Sequence, residues 1–108
     1  ANRAGCEATY VEVEAQDVDA ETRVVITDAG YGPHFVHRTG HGLGLESEEP
    51  SYLVESNSRG LKPRMTCTVE PGIYLRNMGG VRIEDDVVMT PQGGVVMTEL
   101  SREPFVVR

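Results

Sequence analysis

The chain has 108 residues, 39% of them hydrophobic and 25% charged, a balance that fits a soluble globular domain and excludes a disordered or fibrous segment. Its formal net charge of -7 and its ten scattered lysines and arginines leave no basic footprint for a nucleic acid partner. The longest apolar runs, such as Val24 to Ile26 and Val95 to Met97, are strand-sized and far short of the about 20 residues of a membrane span, so a membrane is not expected as a partner either.

Ala1-Asn2-Arg3-Ala4 reads as helix, and no basic-then-apolar signal precedes residue 30. A chain that begins inside a helix suggests an excised or split domain. Residues 15 to 29 carry Val18, Thr22, Val25 and Ala29 at spacings of one helix face, with charged residues between them. Gly30 is placed to close this helix and Gly32-Pro33 to turn the chain, after which Phe35-Val36-His37 reads as extended. The glycine-rich and acidic stretch from Gly40 to Pro63 reads as loop around short structure.

From Met65 onward the pattern is β: MTCTV, GIYL, VRIEDDVVM and VVMTEL are short, rich in Val, Ile, Thr and Tyr, and separated by turns at Pro71-Gly72, Asn77 to Gly80 and Pro91 to Gly94. The predicted architecture is therefore α+β, a single domain over residues 1–108 with one or two helices on a curved antiparallel sheet. A chain of this size buries roughly two thirds of its unfolded surface, so a partner surface would add to a small core. Cys6 and Cys67 have no metal-type spacing and read as two reduced, buried thiols of a cytoplasmic protein.

Three ionisable positions stand in unusual surroundings. His41 is flanked by Gly40 and Gly42, with Gly44 two residues on, so backbone approaches it closely and little bulk shields the imidazole. Glu70 follows an apolar strand and precedes a Pro-Gly turn, where functional side chains often lie. Strict alternation through VRIEDDVV puts Arg82, Glu84 and Asp86 on one face, which is either solvated or lines a polar cavity. A hairpin from Thr68 to Asp86 would set Glu70 and Glu84 on adjacent strands, where they repel unless a cation joins them. One imidazole and two carboxylates suit Mn, Co or Zn; a histidine in a glycine-rich turn beside a solvated acidic face is the plainer reading. No nucleophile elbow, P-loop or dinucleotide fingerprint is present.

The blocks HRTGHGLGLE (His37 to Glu46), MTCTVEPGIYL (Met65 to Leu75) and GVRIEDDVVMT (Gly80 to Thr90), with AQDVDAETRVVITDAGYGPHF (Ala15 to Phe35) before them, resemble in order and spacing those of the pita-bread metallopeptidases. These are the prolidases, the Xaa-Pro aminopeptidases and, more distantly, the methionine aminopeptidases and creatinases. The resemblance implies the carboxyl-terminal half of a pita-bread catalytic domain, with the upstream half absent. It implies that His41, Glu70 and Glu84 match three of the five protein ligands of a two-metal centre, Glu84 bridging both ions. It also implies Glu70 as the proton-handling glutamate, His37 as a catalytic-pocket histidine that receives the substrate, and Arg82 and Tyr74 as supports for the ligands or the bound peptide.

The chain departs from that pattern in three places. The two aspartate ligands lie upstream in the family; Asp17 and Asp19 match surface acids of the helix and do not replace them. Glu48 stands where prolidase-like enzymes carry a substrate-binding histidine, with one residue missing before Pro50, and is expected to be a solvated acid. Tyr10-Val11-Glu12 replaces a basic-Pro-Gly turn, so a more extended path is expected there.

The resemblance thus implies a metal-dependent peptidase of the Xaa-Pro dipeptidase or aminopeptidase type, acting on peptides with proline at the second position. The chain alone is expected to be inactive, and metal binding by it is left open. The alternative is a noncatalytic peptide- or protein-binding relative. As partners, the sequence admits the missing upstream half-domain or a second copy of this chain in a homodimer.

Overall fold

Two helices open the chain in the computed structural model, which describes residues 1–108: α1 spans Asn2–Ala8 and α2 spans Ala15–Asp28. Between them Val11 and Glu12 make a turn, with Glu12 in the left-handed region at φ 69°. The extended path expected here is therefore not what forms. The turn is tied down because the Glu12 amide donates to the Leu61 carbonyl at 2.7 Å and the Leu61 amide donates to the Val13 carbonyl at 2.9 Å.

The buried face of α2 is Ala15, Val18, Asp19, Thr22 and Ile26, not the predicted line through Val25 and Ala29, both of which are exposed. Ile26 lies about 40° round the helix from Thr22 and stays over the sheet, whereas Val25 lies about 60° the other way and leaves it. Asp19, expected on the surface, is only 2% exposed. Gly30 closes the helix at φ 87°, as its position predicts.

A single 3-10 turn, Gly32–His34, follows. Phe35 to His37 joins no sheet. Instead Arg23 pins it, donating to the Phe35 and His37 carbonyls at 2.9 Å each, with its guanidinium 4.0 Å above the Phe35 ring.

Seven short strands come next: β1 (Gly40–Gly42), β2 (Glu49–Leu53), β3 (Thr66–Val69), β4 (Gly72–Leu75), β5 (Gly79–Arg82), β6 (Asp85–Thr90) and β7 (Gly93–Val96). All pairings are antiparallel, in a five-stranded sheet of order β2-β1-β3-β6-β7 and a two-stranded sheet β4-β5. A Cβ on Gly40 would lie 1.8 Å from the Thr68 carbonyl oxygen, so only glycine lets β1 come this close to β3.

The β3–β6 ladder (Val69 opposite Asp85) and the β4–β5 ladder (Gly72 opposite Arg82) keep one common register, as two ends of a single bent hairpin. The hairpin breaks where Glu70 and Glu84 face each other. The Glu70 amide turns away to donate to the Thr39 carbonyl at 2.7 Å, and Pro71 has no amide to give, so only the Ile83 amide, donating to the Pro71 carbonyl at 3.4 Å, ties the bend across. The uninterrupted alternation predicted through Val81 to Asp86 thus fails at Ile83 and Glu84.

On the other side of the bend, β6 alternates cleanly, burying Asp85, Val87 and Met89. Val87 and Met89 join Val18, Leu53, Leu61 and Val69 in the core between helices and sheet. Buried Asp85 accepts from Arg102 Nε at 2.9 Å, and Arg102 Nε also reaches Asn2 Oδ1 at 2.7 Å, strapping the last segment across α1. Cys6 and Cys67 are free thiols of this core; burial pushes the first up to about 11 and the second up to about 12. No helix is long and apolar enough to cross a membrane.

Candidate metal centre and substrate cleft

β1 and β3 lie side by side because Gly40 permits it, and this brings His41 and Glu70 together. His41 Nε2 lies 3.1 Å from Glu70 Oε1, both side chains being mostly buried. The Thr68 hydroxyl links them: it accepts from the His41 backbone amide at 3.1 Å and donates to Glu70 Oε1 at 2.7 Å. His41 Nδ1 lies 2.8 Å from the Gly42 carbonyl oxygen, so that nitrogen carries a proton and donates it. Nε2 therefore faces a carboxylate oxygen. Such a contact needs a proton or a cation to hold it.

Glu84, at the bend opposite Glu70, is the third predicted ligand. Arg82 stands between the two acids, its Nε 3.6 Å from Glu70 Oε2 and 3.6 Å from Glu84 Oε2. Burial, and then the charge of Glu70, push the Glu84 carboxyl up from its ordinary value, with Arg82 acting in the opposite sense. The Tyr74 hydroxyl and both glutamates push the Arg82 guanidinium up in turn.

Tyr74 leans over Gly72 and Gly80, where a Cβ would meet its ring or hydroxyl within 2.5 Å, so the two glycines clear its place. Its hydroxyl lies 2.8 Å from His37 Nε2. His37 Nδ1 lies 2.8 Å from the Arg38 carbonyl, which can only accept, so Nδ1 donates there; in the neutral ring Nε2 then accepts from the Tyr74 hydroxyl.

His37, His41, Glu70 and Arg82 line an open cleft of about 540 Å³ together with Arg38, Glu48, Tyr52 and Val54, whereas Glu84 lines a neighbouring depression beside Asp85 and Arg102. Glu48 is exposed, as expected of a solvated acid, and it also pairs with Arg38, whose guanidinium lies 4.3 Å above the Tyr52 ring. Sequence reasoning also missed the support behind His37. Buried Asp19 accepts from the Thr39 hydroxyl at 2.7 Å and from Arg23 Nε at 3.0 Å, and Arg23 holds the His37 carbonyl. The available signal was the four-residue spacing of Asp19 and Arg23 on one helix. Asp17 is exposed and takes no part.

The donor set suits a divalent transition metal in part. An imidazole nitrogen with its far nitrogen donated to a carbonyl, next to a carboxylate held by a hydroxyl, is the chemistry of a supported metal ligand pair. The 3.1 Å between His41 Nε2 and Glu70 Oε1 is also the separation expected of neighbouring ligand atoms each about 2.0–2.2 Å from one ion. The set does not close into a cage, since no three His, Cys, Asp or Glu side chains gather closely enough to hold an ion. Arg82 lies where Glu84 would have to join the other two.

The profile of metallopeptidase family M24 matches residues 1–91. An uncharacterized peptidase of Staphylococcus haemolyticus is 47% identical over 96 residues, which cover 89% of this chain and 27% of that protein. The probable dipeptidase PepE of Mycobacterium tuberculosis is 45% identical over 107 residues, 99% of this chain and 28% of its own length. Among solved structures, an Xaa-Pro dipeptidase from Bacillus anthracis superposes with a TM-score of 0.94 at 42% identity, covering 98% of this chain and 30% of that one. The chain therefore spans less than a third of the length of the relatives it matches.

Proposed function

The chain belongs to metallopeptidase family M24, in which it corresponds to the carboxyl-terminal half of the pita-bread catalytic domain, and we propose on that premise that it supplies three of the five metal ligands and one wall of the substrate cleft of an Xaa-Pro dipeptidase. The observation that carries the reading is the His41–Thr68–Glu70 cluster, which presents an imidazole nitrogen and an oriented carboxylate to the same cleft. His41 and Glu70 would hold one ion, and Glu84, at the facing position of the bend, would bridge to a second. Divalent ions bound there, Mn, Co or Zn, supply an acidified water and polarise the scissile carbonyl.

This chain's own residues would do the rest. Thr68 fixes one oxygen of Glu70, leaving the other to take and return a proton within the cleft. His37, held by Tyr74 on one nitrogen and by a carbonyl on the other, presents its ring edge to the incoming peptide. Arg82 balances the charge of the two glutamates and loosens its hold as other cations arrive.

Taken alone, the 108 residues form one domain with an incomplete site and do not turn over a dipeptide. The complement is the upstream half or a second copy of this chain. Met78 and Val81, 82% and 60% exposed on the β4–β5 hairpin, support burial against such a partner. Two reduced core thiols accord with a cytoplasmic setting.

The test is a graft of this chain in place of the matching segment of the Bacillus anthracis Xaa-Pro dipeptidase. We expect Mn²⁺-dependent cleavage of an Xaa-Pro dipeptide, lost on Glu84→Ala and raised on Glu48→His. A folded graft that binds the dipeptide but never cleaves it, even with Glu48→His, would favour the noncatalytic reading that Glu48 alone supports. Turnover by the isolated chain comparable to that of an intact peptidase would contradict the incomplete site.

A further inference from the structure

Asn2, the first residue of α1, is only 6% exposed, an uncommon place for a primary amide unless its donors and acceptor are all engaged. Its Nδ2 donates to the Val69 carbonyl at 3.0 Å and to the Ile83 carbonyl at 3.3 Å. Its Oδ1 accepts from Arg102 Nε at 2.7 Å. The amide can face only one way, because arginine can only donate and the two carbonyls can only accept.

The positions of those carbonyls matter. Val69 precedes Glu70 and Ile83 precedes Glu84, on the two facing arms of the hairpin at its bend. Each carbonyl lies in the planar peptide unit that ends at the Cα of the glutamate, so holding it fixes the plane from which that side chain departs. Backbone does little of this work here, since the Glu70 amide is spent on Thr39 and only the 3.4 Å bond from Ile83 to Pro71 crosses the bend. One rigid amide bonded to both arms supplies the missing tie.

Two acids at facing positions repel. Arg82, 51% exposed and 3.6 Å from each carboxylate, offsets that only weakly. The tie from Asn2 is buried and therefore not weakened by competing water. Arg102 steadies it further, because the same Nε donates to Asp85 Oδ2 at 2.9 Å, next in sequence to Glu84.

We propose that Asn2 is a positioning residue that sets the spacing of Glu70 and Glu84, with Arg102 holding its amide in the donating orientation. It acts through the backbone and touches no reacting atom. What the spacing serves rests on the proposed ligand role of the two glutamates, whereas the tie itself does not.

The test compares Asn2→Asp and Asn2→Leu with the unaltered chain by amide hydrogen exchange of chelator-treated protein and by calorimetric titration with Mn²⁺. Asn2→Asp is nearly isosteric, keeps an acceptor for Arg102 and loses both donors. In both variants the Glu70 and Ile83 amides should exchange about fivefold faster or more, relative to those of Val87 and Val88 in β6 and to those of α1. Mn²⁺ should bind about ten- to a hundredfold more weakly, the loss typical when a group that orients metal ligands is removed. A negative charge added near the ion would by itself tighten binding, so weakening in Asn2→Asp cannot be a charge effect.

Exchange that quickens uniformly, or in α1 alone, would overturn the proposal and leave Asn2 a packing residue. A bend that opens with Mn²⁺ affinity unchanged would overturn it as well, since the spacing would then not matter to the ligands. If Mn²⁺ binds neither the unaltered chain nor the variants, the proposed metal site fails, and the exchange pattern alone decides whether Asn2 sets the spacing.

Discussion

Thr68→Val changes almost no volume but removes the hydroxyl that joins the two halves of the candidate centre. Thr68 is 1% exposed, so neither of its partners can turn to bulk water without moving backbone. The hydroxyl's bond to the Glu70 carboxylate, at 2.7 Å, is of the charge-assisted kind that contributes about 1.5–3 kcal/mol. The His41 amide, which donates to the same oxygen at 3.1 Å, would be left without an acceptor, at about 1–3 kcal/mol.

Glu70 keeps its neighbours His41 and Arg82, so the sum is an upper bound, and a loss of about 2–4 kcal/mol is expected. With a urea slope of about 1–3 kcal/mol per molar, the midpoint should fall by roughly a molar or more with the slope unchanged. Thr68→Ser keeps the hydroxyl and gives up only a methyl, so it should lose about 1 kcal/mol or less. A valine variant within about 0.5 kcal/mol of the parent, or a serine variant as damaged as the valine one, would refute the reasoning, since 0.5 kcal/mol is the range of ordinary surface substitutions.

Other expected outcomes follow from packing and charge. Gly40→Ala would push a methyl to 1.8 Å from the Thr68 carbonyl; urea unfolding should show a loss at or above about 3 kcal/mol, the upper end for overpacking. Arg102→Ala strands Asp85, which is 2% exposed; because Arg102 is itself partly exposed, about 2–3 kcal/mol should be lost, and adding Asp85→Asn should restore part of it. The Cys6 and Cys67 thiols, pushed up by burial to about 11 and about 12, are harder to ionise in the folded than in the unfolded chain. They favour folding fully below the ordinary value of 9.0, and that contribution is lost as pH rises toward 11 and 12, so urea midpoints should drop across this window and drop less in Cys67→Ala. A thiol reagent at pH 8 should label both cysteines quickly only in urea.

The strands after Met65 were legible because β-branched runs and turn residues alternate there, and the end of α2 because Gly30 sits just past the last periodic residue. The pairing of Glu70 with Glu84 across a hairpin was legible from strand lengths alone. The break in that hairpin was not, since it depends on the Glu70 amide finding Thr39, a loop residue with no periodic signature. Asp19 looked like a surface acid because a helical Asp–Arg pair reads the same whether or not a loop later covers it. Glu48 is the exposed acid expected, but its ion pair was hidden for a related reason. Its partner Arg38 lies ten residues back on the other side of a loop, and only the folded loop brings them together. Thr68, a hydroxyl in an apolar strand, is the one local hint of the cluster.

The most direct measurement of the central claim is a calorimetric titration of Mn²⁺ into the chelator-treated chain and its Glu84→Ala variant. His41, Glu70 and Glu84 acting as ligands predicts heat of binding in the unaltered chain that is weakened or lost in the variant. No heat in either protein, or equal binding in both, would contradict the claim.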